Sequence, residues 1–342
     1  MKAAVVYGEN DIRIAEVPTP EPGPGEALVR VGGSGVCTTD VKILGGTGLP
    51  KKLPTILGHE VAGTIAVVGD GVGGDRVGDR VAVYPIAVCG ECYFCRLGRH
   101  SLCVEQYGLA HGIDGGFAEY VLIPEPIVRQ GGLLDIDDMP FDLAAMIEPV
   151  ACCLSAAEGC GTSSGDNVLV IGCGLMGQLN ILVSKRIGAR VIAADLNDER
   201  LEKAESVGAD FSLNPDEVDI FAEVKKLTVV GADIVIAAVG TAPVVEKYLP
   251  LVRNGGLFNI FGGTPRGQTI TVDPRWLHYG EVVLTGTFAA SLDLFAAAHG
   301  FVRDNAEVIS ELISVRCNLE GILDAVERVR NGEAFKTIIT FD

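Results

Sequence analysis

Short apolar runs rich in valine and isoleucine, Ala27 to Val31, Val61 to Val68 and Arg80 to Val83, recur through the first 150 residues between glycines and prolines. That is the pattern of strands joined by turns. Helical periodicity is scarce there. From about Val168 the rhythm changes, and apolar strands alternate with helix-length amphipathic segments, as in βαβ units around a parallel sheet. The expected strands are Val168 to Gly172, Arg190 to Asp195, Asp233 to Val239, Leu257 to Phe261 and Val282 to Gly286. The spacing predicts helices over Leu175 to Ile187 and Asp198 to Val207, each stopped by a glycine, Gly188 and Gly208, where a left-handed cap is needed. Right-handed crossovers follow from that order. Beyond Ser291 come a helix, a strand near Ser314, a helix over Leu319 to Arg330 and a last strand, Thr337 to Phe341. This tail is expected to rejoin the first unit, giving one domain from 1–150 with 288–342 and another from 151–287. No period of roughly 20 to 50 residues recurs, which excludes a solenoid.

Composition supports two cores: the chain has 342 residues, 48% of them hydrophobic. Its formal charge of -18 repels phosphate backbones and anionic lipid, so nucleic acid and membrane surfaces are poor partners. The long uncharged run Asn167 to Ser184 carries three glycines and reads as strand, turn and helix rather than a membrane span. The apolar stretch Ala3 to Tyr7 is too short for a signal-peptide core, so a cytoplasmic protein is expected. In that compartment ten cysteines stay reduced, which turns attention from disulfides to metal ligation and packing.

Four of the ten, Cys89, Cys92, Cys95 and Cys103, form C-x2-C-x2-C-x7-C, with Gly90 and Gly98 letting the chain wrap tightly. Four thiolates so close together satisfy a tetrahedral zinc without help, and they leave no position for water or substrate. Such a metal is structural. An iron–sulfur cluster is the chemical rival, and a nucleic-acid zinc ribbon is disfavoured by the acidic balance.

A catalytic zinc needs fewer protein ligands and a vacant position. Cys37, in GVCTTD, and His59 and Glu60, in GHEVAG, offer a thiolate, an imidazole and a carboxylate. Taken singly, Cys37 reads more readily as a core thiol and His59 as a hydrogen-bonded loop histidine than as metal ligands.

A third segment, VLVIGCGLMG, supplies G-x-G-x-x-G at Gly172, Gly174 and Gly177 between an apolar strand and a helix. Gly172 permits the tight turn, Gly174 lets the backbone approach a pyrophosphate, and Gly177 lets helix and strand pack closely. The helix N-terminus, at Leu175 and Met176, then faces the negative charge. Asp195 ends the next strand, where a carboxylate can accept hydrogen bonds from adenosine ribose hydroxyls and select NAD. Its bland alternative is a helix-capping role. Arg200, close by in sequence, leaves NADP use open.

These segments together resemble the zinc-containing medium-chain dehydrogenase/reductase family over nearly the whole chain, with the polyol and sorbitol dehydrogenase type nearest. The resemblance implies an α/β protein: a Rossmann doubly wound parallel sheet for the cofactor plus a β-rich, GroES-like catalytic domain. It implies two Zn2+ per chain, one structural and one catalytic, with NAD as cofactor. By that likeness Cys37 and His59 bind the catalytic zinc, Glu60 binds it in some states or lies beside it, and Asp40 orients the site. Glu148, in IEPVACC, takes the third fixed position, which is a cysteine in ethanol-type members. Cys152 and Cys153 fall past it.

Other roles follow from the same likeness. Thr39 matches a hydroxyl that begins a proton relay. Lys42 stands where many members have a histidine, and its higher ordinary pKa makes it a less natural shuttle. Lys336 resembles a basic position that reaches the cofactor pyrophosphate, a surface lysine being the alternative, and the loop at Gly262 approaches the nicotinamide. Tyr84, Tyr107, Leu109 and Phe288 are candidate pocket walls. The implied activity is hydride transfer from a secondary alcohol, a polyol or sugar derivative, to NAD with formation of a ketone. Alternatives are a threonine-like amino alcohol or simple aliphatic alcohol as substrate or, from a different class, a non-catalytic NAD-binding protein. Relatives imply a homodimer or homotetramer.

Overall fold

The structure, a computed structural model, describes residues 1–47 and 52–341. The chain divides into two compact units, Met1–Ala151 with Ala290–Asp342, and Cys152–Ala289.

The first unit is built on a sheet whose central strand is Ala27–Val36. Glu60–Val68 pairs antiparallel with one side of it, and Lys336–Thr340 pairs antiparallel with the other. Arg80–Val83 and Leu133–Asp135 extend the sheet beyond Glu60–Val68, and Ile313–Cys317 extends it beyond Lys336–Thr340. Alternation explains the choice of strand: Ala27, Val29 and Val31 turn into a core with Val61, Ile65, Val81 and Val83. Beta-branched residues suit such a half-buried pleat. Register matters more than length here. Gly35 stands opposite Glu60, and Val36 opposite Thr337, so the end of the central strand gathers residues from three distant segments.

The second unit is a parallel sheet of six strands in the order Phe211–Leu213, Arg190–Ala194, Asn167–Ile171, Ala232–Ala237, Val252–Ile260, Val283–Gly286. In chain order that is 3-2-1-4-5-6, the doubly wound arrangement with its crevice where the order reverses. Its strands are near-continuous apolar runs because both faces are covered. The helices Leu175–Ile187 and Asp198–Val207 stop where expected, Gly188 and Gly208 both taking positive φ. The expected strands lie within one or two residues of the observed ones, except that the one expected over Leu257 to Phe261 begins earlier, at Val252.

Helix content of residues 141–160 was not visible as periodicity, because Phe141–Ala144 and Ile147–Cys160 are apolar nearly all round. That stretch is long and apolar enough to cross a membrane by composition alone, and most of it is buried inside the protein. Asn167 to Ser184 forms the strand, turn and helix that its glycines suggest.

Two carboxylates fasten the parallel sheet. Asp233 accepts from the Asn167 backbone N–H at 2.7 Å and pairs with Arg253, and Asp210 accepts from the Val191 N–H at 2.8 Å and pairs with Lys185. Burial alone would raise both carboxyl pKa values; the donors outweigh it and bring them below the ordinary 3.8. A carboxylate lowered in this way stabilises the fold above its unfolded pKa, and the contribution disappears as pH falls through the folded value. Asp233→Asn should therefore flatten the loss of stability on acidification below the ordinary 3.8, measured as thermal midpoint against pH. An acid limb parallel to that of the unmodified protein would count against this pairing.

Candidate metal and cofactor sites

Cys37 follows the central strand and caps the helix Thr38–Leu44. Its backbone N–H donates to Asp40 Oδ2 at 2.9 Å, and the fully buried Asp40 also accepts from the Gly58 N–H at 3.3 Å. Asp40 Oδ1 lies 3.7 Å from His59 Nδ1. One carboxylate thus ties the helix start to the turn that carries His59. It also directs that ring's other nitrogen away from Asp40, the arrangement by which a carboxylate orients a metal-binding imidazole. Burial would lower the His59 pKa, but the Asp40 charge, with a smaller push from Cys37, raises it well above the usual value.

Glu60 begins the neighbouring strand, and its carboxylate meets Cys37 and His59: one ligand atom of each lies within 4.8 Å of the others. A soft sulfur, an imidazole nitrogen and a carboxylate oxygen at this spacing fit a zinc ion. Glu148, on the first turn of Ile147–Cys160, is not among these three, although its charge is felt by Lys336. Thr39 and Lys42 are exposed on the helix Thr38–Leu44, three positions apart and so on one face.

Lys336 departs from the expected role. It is 1% exposed, its Nζ pairs with Glu60 Oε2, and it donates to the Val36 carbonyl at 3.3 Å. Burial would lower its pKa, but Glu60, Cys37 and Glu148 together raise it. A buried ammonium is tolerated only with such partners, and removing one member of a buried ion pair costs about 3–5 kcal/mol. The ammonium expected to reach a pyrophosphate is thus committed to Glu60. Motif reading missed this pair because its partners meet only through strand register.

The four-cysteine lobe brings all four sulfurs within 4.8 Å of one another. Cys92 and Cys95 sulfurs are 3.5 Å apart, and Cys89 and Cys103 sulfurs 3.6 Å. The backbone N–H groups of Cys95 and Val104 lower Cys92 to about 6, while burial pushes Cys95 up to about 12. Four thiolates cannot ionise this close without a cation between them, and zinc supplies it. All ten cysteines are free thiols.

In the second unit the glycine turn is sterically compulsory. A Cβ on Gly177 would lie 1.9 Å from the Gly172 carbonyl oxygen, and Gly172 itself takes φ +88°. Gly174 caps the helix Leu175–Ile187, whose first residues, Leu175 and Met176, are partly exposed. Asp195 Oδ2 accepts from the Cys173 N–H at 2.6 Å, and Oδ1 from the Asn197 N–H at 3.0 Å. The carboxylate is therefore held against the turn by backbone donors, with Arg200 Nη1 at 3.9 Å. The capping of Asp198–Val207 is done by Asn197, so Asp195 is spared that work. Gly262 approaches Gly240 too closely for a side chain: its Cβ would fall 2.4 Å from the Gly240 nitrogen. This turn, helix start and carboxylate fit a dinucleotide.

Of the candidate walls, Tyr84 is 1% exposed, donates its hydroxyl to the Ala290 carbonyl at 2.8 Å and packs edge-on to Phe295, which makes it a core anchor. Leu109 is likewise buried, Tyr107 partly so, and Phe288 exposed.

Known proteins share this chain's plan. The alcohol dehydrogenase GroES-like domain matches residues 23–131, and the zinc-binding dehydrogenase domain matches residues 176–304. D-altritol 5-dehydrogenase of Agrobacterium fabrum is 35% identical over 91% of this chain and 90% of its own length. L-threonine 3-dehydrogenase of Pyrococcus abyssi is 36% identical over 78% of this chain and 75% of its own. The solved structure of a protein described as a zinc-binding dehydrogenase from Sinorhizobium meliloti, bound to NADP, superposes with a TM-score of 0.92 at 30% identity, covering 99% of each chain.

Replacing Cys95 by serine should lower bound zinc by one equivalent per chain and depress the thermal midpoint, since a closed thiolate site contributes folding energy. Elemental analysis beside a melting curve tests this. Unchanged zinc with unchanged melting would remove the structural metal from that lobe.

Proposed function

The chain belongs to the zinc-binding alcohol dehydrogenase family, and on that premise we propose that it oxidises a secondary hydroxyl of a polyol or sugar derivative to a ketone, with NAD accepting the hydride. The observation that carries this is the meeting of Cys37, His59 and Glu60 donor atoms at one point beside the buried Asp40. A donor set of that kind has no structural purpose comparable with the closed four-sulfur lobe. Zinc held there supplies Lewis acidity, which eases proton loss from an alcohol hydroxyl and polarises the carbonyl in reverse.

The chain's own groups do the rest. Cys37, His59 and Glu148 would hold the ion, and Glu60, whose carboxylate meets the first two, would bind it in some states or lie beside it. Asp40, beside Nδ1, would fix the imidazole tautomer, so that the other ring nitrogen could offer its lone pair to the ion. Thr39 takes the substrate proton and passes it towards solvent along the helix face that Lys42 shares. Gly172, Gly174, Gly177 and the N–H groups at Leu175 and Met176 cradle the cofactor pyrophosphate, and the Gly262 loop serves the nicotinamide. Asp195 accepts from the adenosine ribose, and its charge would repel a 2'-phosphate, which supports NAD over NADP. The likeness to a polyol dehydrogenase and the Glu148–Pro149 pair support the substrate class. The threonine-dehydrogenase likeness favours a second reading, oxidation of an amino alcohol. We place the enzyme in the cytoplasm as a homodimer or homotetramer.

An NAD-coupled screen of polyols, sugar acids, amino alcohols and simple alcohols should give its highest kcat/KM with a polyol; a preference for threonine or a primary alcohol would overturn that class. Cys37→Ser and His59→Ala should each reduce NADH formation by about a thousandfold or more, the scale of losing metal-ion catalysis. Activity persisting after the readily chelated zinc is removed would refute the mechanism. Asp195→Ala should shift the NAD to NADP kcat/KM ratio towards NADP by about tenfold, the worth of one charge-assisted hydrogen bond. An unmoved ratio would release Asp195 from that role.

A further inference from the structure

Gln178 lies on the first turn of the helix Leu175–Ile187, directly after the glycine motif, and is fully buried. Its Nε2 donates to two backbone carbonyls at once, that of Cys173 at 2.9 Å and that of Arg200 at 2.9 Å. The first carbonyl belongs to the glycine turn, and the second to the first turn of the helix Asp198–Val207. Two carbonyls facing one end of the amide identify that end as the nitrogen. The Oε1 atom at the other end is buried with no hydrogen-bond partner among the described residues. Burying an unmatched amide oxygen is unfavourable, so the paired N–H donors are what this position draws from glutamine.

These two bonds close a ring. The Cys173 N–H donates to Asp195 Oδ2 at 2.6 Å, the Asn197 N–H to Asp195 Oδ1 at 3.0 Å, and the Arg200 N–H to Asn197 Oδ1 at 3.0 Å. Gln178 then joins the Arg200 carbonyl back to Cys173. The backbone of Arg200 is thus held through both its N–H and its carbonyl, and from that root its Nη1 lies 3.9 Å from Asp195 Oδ2. The ring contains two side chains of opposite preference. A carboxylate suits ribose hydroxyls, whereas a guanidinium suits a phosphate. Which of them meets the adenosine ribose depends on where the Arg200 helix begins relative to the glycine turn.

We infer that Gln178 is a positioning residue for cofactor selection: by clamping the Arg200 carbonyl to the glycine turn it keeps the Arg200 guanidinium beside Asp195, so that the site reads a free ribose and not a 2'-phosphate. It touches neither the metal nor the nucleotide. Removing its donors opens the ring between the turn and the Arg200 helix and leaves the Cys173 carbonyl without this donor. The first turn of that helix then shifts, and Arg200 leaves Asp195. NAD loses a fixed carboxylate, while the released guanidinium can answer the extra phosphate of NADP.

This rests on the reading of Asp195 as the ribose carboxylate of bound NAD, and direct binding measurements separate the two. Dissociation constants for NADH and NADPH would be taken from nucleotide fluorescence with the full-length zinc protein, with melting curves recorded beside them. The unmodified protein should prefer NADH. Gln178→Met, which keeps the length of the side chain but has no donor, should narrow that preference by about tenfold, the scale of losing one buried hydrogen bond. In an Arg200→Ala background the same change should move the ratio by less than about twofold, because its effect passes through Arg200. A merely structural glutamine would lower the melting temperature and weaken both nucleotides alike. That result, or an equal narrowing in the Arg200→Ala background, overturns the inference. Should Gln178→Met not fold, Gln178→Asn, whose amide is one methylene too short to span both carbonyls, should narrow the preference in the same Arg200-dependent way. An unmodified protein with no preference for NADH, or one whose preference Asp195→Ala leaves unmoved, would instead sink the NAD-selecting reading itself.

Discussion

Asp40, Glu60 and Lys336 are ionisable side chains with 1% or less of their surface exposed, all at one end of the strand Ala27–Val36. Charge taken out of water is destabilising unless it is paired and hydrogen-bonded. Each of these groups is answered by a specific neighbour: Asp40 by two backbone N–H groups and His59, Glu60 by Lys336, and Lys336 additionally by the Val36 carbonyl. Satisfying them ties the capped helix, the His59 turn, the second strand and the C-terminal strand to one point. The rigidity that a metal site needs is thus obtained from the cost of leaving buried charge unpaired.

The cofactor unit obeys a different constraint, the close approach of backbone to backbone. Gly177 lies against the Gly172 carbonyl, and Gly240 against the loop at Gly262, at distances no side chain would allow. These contacts let the helix Leu175–Ile187 begin tight against the sheet, with no side-chain cap on its first N–H groups. Asp195 then locks the turn by accepting from Cys173, so one carboxylate both shapes the loop and presents charge at the end of its strand. The two units therefore reach preorganisation by separate means, buried charge in one and absent side chains in the other.

Much of this was legible from local pattern. Period-two runs, glycine stops at Gly188 and Gly208, and the close sulfur spacing from Cys89 to Cys103 each depend on residues near one another in the chain, and the structure shows these features with small shifts at their ends. The helix Ile147–Cys160 was less visible because an apolar segment buried on most sides has no polar face to set a period. Tyr84 looked like a pocket wall for a related reason: an aromatic in a strand-rich segment does not disclose whether its hydroxyl meets solvent or, as here, the carbonyl of Ala290.

By itself, the sequence determined the fold class, the dinucleotide turn and the chemical types of the metal ligands, since those follow from periodicity, glycine spacing and donor chemistry. Only the tertiary structure decided which partners the buried charges take. Lys336 was expected to face a pyrophosphate; it meets Glu60 and the Val36 carbonyl 300 residues away, because three strands pair in one register. Pairing across a sheet is a long-range consequence of where each strand hides its apolar face, and no short motif encodes it.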